Sequence, residues 1–204
     1  MGSRPGISLA VATAAQMHAL GRSLATLLRA GDLVILSGGL GAGKTTLTQG
    51  IGAGLGVRGP VTSPTFVIAR VHPPLRPADE PDDGPRPALV HADAYRLGST
   101  LELDDLDLDA DTASSVTVVE WGEGLAEGLS ADRLEITLTP ETGPVAPEAG
   151  PGTGPAAGRA DPDAEPDLES GDGLADIPRQ VRISAVGKRW EGIELPFADL
   201  ADRL

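Results

Sequence analysis

A glycine-rich loop between an apolar strand and an amphipathic helix constrains the fold of this chain more than any other feature. Residues 33–37 read LVILS, a run typical of a buried strand, and the residues after them match the pattern G-x-x-x-x-G-K-[ST] in full. From Thr45 to Leu55, apolar residues recur at helical spacing, with Gly56 beyond the end. This order of strand, loop and helix predicts a phosphate-binding loop comprising Gly38, Gly39, Leu40, Gly41, Ala42, Gly43, Lys44, Thr45 and Thr46.

Each residue type in the loop suits a nucleoside triphosphate. Glycines permit positive φ angles and a close approach of backbone N–H groups to phosphate oxygens, and a helix N-terminus adds further N–H donors. We expect Lys44 to reach the β- and γ-phosphates and the hydroxyl of Thr45 to ligate Mg²⁺. The chain contains no Asn, so it lacks the Asn-Lys-x-Asp motif with which guanine-specific proteins of this class read their base. We therefore expect ATP.

Patterns of strand and helix alternate along the rest of the chain. A helix is predicted over 13–30, with Thr13 as its N-cap, and strands over 66–71, 88–94 and 115–121. Two later strand patterns, DRLEITLT and QVRISAVGKRW, are expected to form an antiparallel flank. The fold class is therefore α/β: a P-loop NTPase-like three-layer sandwich with a largely parallel central sheet and antiparallel flanking strands, residues 1–204 forming one domain.

A Pro- and Gly-rich acidic segment, residues 140–178, separates those two late strands. It holds nine acidic residues and one basic residue, which is −8 of the chain's net charge of −14. With almost no large apolar side chains, the segment cannot offset the entropy cost of ordering, and we predict that it is a disordered insertion in a hairpin connection.

Two acids that close apolar strands are candidates for the metal and for the hydrolytic water. Glu120 ends SVTVVE and Asp93 ends ALVHAD, and the carboxyl ends of parallel strands are where α/β proteins bind ligands. One acid would ligate Mg²⁺ while the other positions water, and spacing does not decide between them. His91 shares a strand face with Asp93, but without a third ligand nearby a packed or hydrogen-bonded histidine is favoured over a metal pair.

Two further stretches leave alternatives open. Thr65, after Ser63-Pro64, is either in a loop that senses the γ-phosphate or in a simple turn before a strand. The acidic run over 101–109 lacks the calcium-loop pattern and is a solvated helix face or a docking surface.

Composition indicates the cellular setting. The chain has no cysteine, which excludes disulfides and thiol chemistry and is compatible with a reducing cytoplasm. Its N-terminal stretch is a poor signal peptide, and no run reaches the roughly 18 apolar residues of a membrane span. We expect a cytoplasmic protein without a membrane partner.

Five motifs together carry a resemblance to a known family. GGLGAGKTTLTQGIGAGLG, VTSPTF, HADAYRL, ELDDL and VVEWGEGL, in this order, resemble the bacterial TsaE (YjeE) family, ATPases of tRNA N6-threonylcarbamoyladenosine (t6A37) biosynthesis. The resemblance runs from the first predicted helix to about Leu138 and resumes over Arg179 to Trp190. It implies partnership with the TsaB and TsaD proteins, which transfer the threonylcarbamoyl group, and contact with tRNA only through that complex.

The resemblance also implies roles for individual residues. Lys44 would bind the phosphates, and Thr45 with Glu120 would hold Mg²⁺. Thr65 would belong to a nucleotide-responsive loop, with Asp93 near the γ-phosphate and Arg179 near the nucleotide. Trp121 would lie beside Glu120.

The chain departs from the family at position 39 and in the acidic insertion. Gly39 stands where relatives usually have Asp, at a free position of the loop, so we expect nucleotide binding to be retained. The acidic insertion is not part of the family's core, and we do not expect it to bind tRNA, because its charge would be repelled by the phosphates.

The residues leave two other functions open. One is a small-molecule kinase, although the insertion contains too few Arg residues for the lid that such kinases close; the other is a nucleotide-sensing module with negligible turnover. Hydrolysis needs a cation beyond Lys44, for which Arg96 or a partner's side chain is the candidate.

Overall fold

A seven-stranded mixed sheet forms the centre of the computed structural model, which describes residues 6–64, 66–75, 86–97, 99–104, 114–141 and 178–193. The strands lie in the order β1-β7-β6-β2-β5-β4-β3. Their bounds are β1 Ile7–Val11, β2 Leu33–Gly38, β3 Ala69–His72, β4 Ala88–Asp93, β5 Ser115–Glu120, β6 Arg133–Pro140 and β7 Arg179–Val186.

The four central strands are parallel and the outer ones antiparallel. β6, β2, β5 and β4 run in one direction, whereas β1 and β7 on one side and β3 on the other pair antiparallel with their neighbours. All six residues of β5 are buried, as in a parallel strand covered on both faces. The predicted α/β fold with a largely parallel centre and antiparallel flanks is confirmed.

Two helices cover one face of the sheet and pack closely on each other. They are α1, Ala14–Ala25, and α2, Lys44–Leu55. A Cβ added at Gly21 would lie 2.4 Å from the carbonyl oxygen of Leu47, and one at Gly50 would lie 2.2 Å from that of His18. Only glycine allows this approach of the two backbones, which packs α1 against the middle of α2.

The first helix begins as predicted and ends earlier. Thr13 forms a capping box with Gln16 at the N-terminus, but α1 ends at Ala25, and the prediction of a helix to residue 30 is wrong. Leu28 remains buried although it lies beyond the helix end. The apolar pattern thus reports burial in the core, and it continues past the point where helical hydrogen bonding stops.

The second face of the sheet carries a thinner layer. Its core cluster contains Ile35, Val119 and Leu103, the last from the short helix α3, Thr100–Asp104. Ala126, from the segment that follows β5, belongs to the same cluster. α3 begins the acidic run 101–109, of which residues 105–109 lie outside the described residues. This second face therefore carries a short, irregular layer, which is the third layer of the fold.

The predicted strand over 66–71 is only partly a strand. β3 starts at Ala69, because the carbonyl of Pro64 accepts hydrogen bonds from Val67 N and Ile68 N at 2.9 and 2.7 Å and folds the chain into a turn. Ile68 completes that turn with φ +67°, which is unusual for a β-branched residue. Phe66 is 84% exposed as a result.

The two late strands meet at the ends of the acidic segment. β6 and β7 pair antiparallel up to Pro140 opposite Arg179, and Glu141 N donates to Pro178 O at 2.7 Å. This is the pairing that a hairpin connection requires. Disorder was predicted over residues 140–178; Pro140 instead ends β6, and residues 142–177 lie outside the described residues. In the part of the chain that the structure describes, no helix has the length and apolar character of a membrane span.

Candidate functional site

The glycine-rich loop turns from β2 into α2 through three residues with positive φ. These are Gly38 at +140°, Gly41 at +72° and Gly43 at +101°, so glycine is required by the backbone at these positions. Gly39 has no positive φ, and a Cβ added to it would meet no described atom within 4 Å. Gly43 is the N-cap of α2 and supplies no side-chain acceptor, which leaves the first N–H groups of the helix available to an anion.

Lys44 points its ammonium group back over this loop. Its Nζ donates to the carbonyl oxygens of Gly38 and Gly39, both at 2.9 Å, and the side chain is buried. Burial lowers the pKa of Lys44 below its ordinary value, while the carboxylates of Glu120 and Asp93 act in the opposite direction. A buried ammonium among glycines is a strong electrostatic partner for phosphate oxygens.

Thr45 and Glu120 meet beside the loop. β2 and β5 are parallel neighbours with Leu36 opposite Glu120, so Glu120 lies at the carboxyl edge of the sheet next to the loop. The hydroxyl of Thr45 is 2.9 Å from Oε1 and 3.2 Å from Oε2 of this buried carboxylate. A hydroxyl and a carboxylate side by side are hard oxygen ligands of the type that Mg²⁺ uses.

His91 also contacts Glu120. Its Nε2 lies 2.8 Å from Oε1 in a fully buried position. Because an ionised carboxylate only accepts, the histidine is the donor, in the tautomer that carries its proton on Nε2. The expected hydrogen-bonded histidine is confirmed. Across the residues that the structure describes, no group of three or more His, Cys, Asp or Glu side chains could hold a metal. A cation here would need oxygens from phosphate or water to complete its ligands.

Asp93 lies next to Glu120 on the neighbouring strand. The two acids face each other in the register of β4 and β5. Asp93 Oδ1 accepts from Tyr95 N at 2.9 Å and starts the short 3₁₀ turn Ala94–Arg96. The carboxylate of Asp93 is buried and lies on the same cavity as the loop.

One cavity therefore collects most of the predicted site residues. It opens at the carboxyl ends of β2, β4 and β5 and is lined by Leu40, Gly41, Ala42, Gly43, Lys44, Thr45, Thr46, Ser63, Asp93, Glu120 and Trp121. The ligand-binding edge of an α/β sheet is expected at such a position. Its donors suit phosphate groups, and its hydroxyl and carboxylates suit a divalent cation.

Three further predicted residues, Arg179, Arg96 and Thr65, are not among the described residues that line the cavity. Arg179 is buried at the start of β7, with Nη2 3.4 Å from the carbonyl oxygen of Gly41. Arg96 is exposed, lies over the ring of Phe66 with 5.4 Å between guanidinium carbon and ring centroid, and is not among the described lining residues. Thr65 lies outside the described residues, although its neighbour Ser63 lines the cavity.

Sequence reasoning missed two contacts at this site. It did not connect His91 with Glu120, and it gave Trp121 no function beyond its place beside Glu120. Trp121 lies over the Lys44 ammonium and against Tyr95. The sequence places both residues near strand ends, with His91 two residues before Asp93 and Trp121 directly after Glu120, but it gives no sign of which side chains they contact.

The fold and the loop together define a P-loop NTPase-like α/β protein. Comparison with known proteins narrows this class. The family model "Threonylcarbamoyl adenosine biosynthesis protein TsaE" matches residues 11–145. The chain belongs to the TsaE family of threonylcarbamoyladenosine biosynthesis proteins.

Relatives and a solved structure agree with this assignment. The chain is 62% identical over 133 residues to the tRNA threonylcarbamoyladenosine biosynthesis protein TsaE of Streptomyces coelicolor, covering 65% of this chain and 84% of the relative. Identity to the TsaE of Mycobacterium tuberculosis strain H37Rv is 53% over 125 residues, 58% and 70% of the two chains. The crystal structure of Bacillus subtilis YdiB superposes with a TM-score of 0.59 at 25% identity, covering 100% of this chain and 98% of that one.

Proposed function

We propose that this chain binds ATP with Mg²⁺ and hydrolyses it in support of tRNA N6-threonylcarbamoyladenosine (t6A37) modification. The observation that carries the proposal is the convergence of Lys44, Thr45, Asp93 and Glu120 on one cavity around the glycine-rich loop. Each of these side chains has a counterpart in the chemistry of phosphoryl transfer, in which positioning and electrostatic stabilisation do most of the catalysis.

The triphosphate tail would be held by the loop. N–H groups at the start of α2 and the ammonium of Lys44 would bind its oxygens, and Lys44 would leave the carbonyls of Gly38 and Gly39 to do so. Gly41 and Gly43 allow the backbone to turn around the phosphates. Arg179, in contact with the carbonyl of Gly41, would support the loop from its protein side.

The donor set beside the loop fits Mg²⁺. Thr45 and Glu120 would hold the ion, because they supply a hydroxyl and a carboxylate already in contact, and nucleotide phosphates and water would complete the ligands. When bound, the ion neutralises charge on the phosphates. Glu120 accepts hydrogen bonds from both Thr45 and His91, so its carboxylate is oriented before any ligand arrives.

Asp93 is the best candidate to orient the attacking water. Its carboxylate is buried on the same cavity, and Tyr95 N fixes one of its oxygens. In the reaction, water attacks the γ-phosphorus, the bond to the β,γ-bridging oxygen breaks, and ADP and phosphate leave. Lys44 would stabilise the developing charge. Arg96 packs on Phe66 and is not among the described residues that line the cavity. A partner protein is therefore the better source of a second cation.

The partners follow from the family. Relatives of this chain are named tRNA threonylcarbamoyladenosine biosynthesis proteins. We propose that this chain acts in the cytoplasm with TsaB and TsaD, and that it reaches tRNA through that complex. The competing functions are a kinase, which would transfer the γ-phosphate to a small molecule, and a sensor, which would bind without turnover.

Turnover measured with and without the partners tests the proposal. ATP hydrolysis by this chain alone is expected to be slow and to rise when TsaB and TsaD are added, with t6A forming on tRNA in the complete mixture. Lys44→Ala should abolish the stimulation. Unchanged hydrolysis on adding the partners would contradict the proposal, and phosphate appearing on a small metabolite would favour the kinase.

A further inference from the structure

Trp121 is the only aromatic residue among the described residues that line the phosphate cavity, and it sits on a strained backbone. Its φ is +59°, a left-handed conformation that residues other than glycine rarely adopt and that concentrates at functional sites. Trp121 N donates to Leu36 O at 2.8 Å, so the chain is tied to β2 directly after the strand-ending Glu120. A bulky side chain is therefore kept at a position where the backbone favours glycine.

The indole lies on the ammonium group of Lys44. Nζ is 3.6 Å from the ring centroid, well within the range of a cation–π interaction. Two of the three N–H donors of the ammonium are taken by the carbonyls of Gly38 and Gly39, which leaves one for the aromatic face. Trp121 thus packs its aromatic face on a buried cation whose two described hydrogen bonds go to the loop carbonyls.

A second aromatic residue holds the indole in place. The ring centroids of Tyr95 and Trp121 are 5.1 Å apart and the planes are inclined by 55°, a tilted arrangement that aromatic pairs favour. Tyr95 is itself fixed through its N–H to Asp93. The indole is therefore clamped between the element that follows Asp93 and the ammonium of Lys44.

We infer that Trp121 is a positioning residue for Lys44. Its aromatic face keeps the ammonium inside the cavity before phosphate arrives, so that a triphosphate has to replace only the two hydrogen bonds to Gly38 and Gly39. This inference rests on the proposed function, because it assigns Lys44 to phosphate. It predicts that the aromatic face of the side chain matters, and that its volume alone does not.

Two substitutions separate the aromatic face from the volume. Trp121→Phe and Trp121→Leu both keep an apolar side chain on the same backbone, and only the first keeps a π face. We expect Trp121→Phe to bind Mg-ATP and tripolyphosphate within a few-fold of the original chain, and Trp121→Leu to lose on the order of tenfold in affinity for both, by isothermal calorimetry. If Trp121→Leu fails to fold by circular dichroism, Trp121→Met replaces it. Equal affinities for the phenylalanine and aliphatic variants would overturn the inference.

A measurement without nucleotide separates this inference from the proposed function. The chain has two tryptophans, and Trp190 is buried in the core. Lys44→Met removes the cation from the indole while keeping an unbranched side chain one atom shorter, and it should shift the tryptophan emission of the ligand-free protein; Lys188→Met is the control and should not. Unchanged emission in Lys44→Met would overturn the contact even if ATP binds normally. A chain that shows the shift but binds no Mg-ATP would instead refute the proposed function.

Discussion

The hydroxyl of Thr45 lies 2.9 Å from Oε1 of Glu120, joining the first turn of α2 to the last residue of β5. The two residues are 75 positions apart in the sequence. They meet because β2 and β5 are adjacent and parallel, so that the loop after one strand and the acid that ends the other share one edge of the sheet. The proposed magnesium ligands are thus assembled by the fold.

Removing the carboxylate of Glu120 should weaken the dependence of nucleotide binding on magnesium. We expect Glu120→Ala to raise the Mg²⁺ concentration needed for half-maximal ATP binding by at least about tenfold, since the hydroxyl of Thr45 alone is a poor ligand. A magnesium titration at fixed ATP measures this. Glu123→Ala removes an exposed acid three residues away and is the matched control. A normal magnesium titration for Glu120→Ala would show that the metal ligands are assigned wrongly.

We expect His91 to affect the binding of Mg-ATP through its hydrogen bond to Glu120. His91→Leu removes the donor to Oε1, and we expect a loss on the order of tenfold in Mg-ATP affinity, whereas His91→Gln can still donate and should lose less. In the presence of a chelator, both variants should bind ATP with the same affinity as the unsubstituted chain. Equal losses with and without magnesium would mean that His91 serves packing alone.

The glycines of the loop differ in backbone conformation, so their substitution should have different effects. Gly43 has φ +101°, so Gly43→Ala should strain the N-cap of α2 by about 1 kcal/mol or more and lower Mg-ATP affinity severalfold. Gly39→Ala places a methyl group where no described atom lies within 4 Å and should bind nearly as the original chain does. Calorimetry on both variants measures the difference. Equal loss at the two positions would contradict this description of the loop.

A buried ion pair anchors the segment after β7. Arg189 donates to both carboxylate oxygens of Asp32, Nε to Oδ1 at 3.1 Å and Nη2 to Oδ2 at 3.0 Å, with little exposure of either side chain. Asp32→Ala would leave the guanidinium buried without its partner, so the free energy of unfolding should fall by about 3 kcal/mol.

Urea denaturation measures this loss, and an exposed pair provides the comparison. Glu135→Ala breaks the more exposed pair with Arg133 and should cost less than about 1 kcal/mol. A loss for Asp32→Ala no larger than that for Glu135→Ala would show that the buried pair does not stabilise the fold.

Features set by local pattern were predictable from the sequence. The loop, the helix after it and the strand-ending acids Asp93 and Glu120 follow from residue types at short spacing, and a strand–helix alternation then brings both acids to one sheet edge. The end of α1 and the turn over Phe66–Ile68 were predicted wrongly. In both places apolar residues continue a regular pattern, but tertiary contacts and the hydrogen bonds to Pro64 decide the backbone.

The contact between Lys44 and Trp121 could not be predicted from spacing. It requires a positive φ at a tryptophan, which sequence patterns disfavour, and the adjacency of two strands whose order the sequence does not state. The same holds for the hydrogen bond from His91 to Glu120, which crosses from β4 to β5. Side-chain partners across a sheet emerge only once the strand order is known.

The central claim is that the cavity between the glycine-rich loop and Glu120 binds a magnesium-bound triphosphate. Isothermal calorimetry with Mg-ATP tests it most directly, on the full chain and on Lys44→Ala, with circular dichroism to show that both are folded. We predict a saturable heat with one site per chain for the original protein and none for Lys44→Ala. The absence of heat in the original chain, or the same binding in both, would contradict the account.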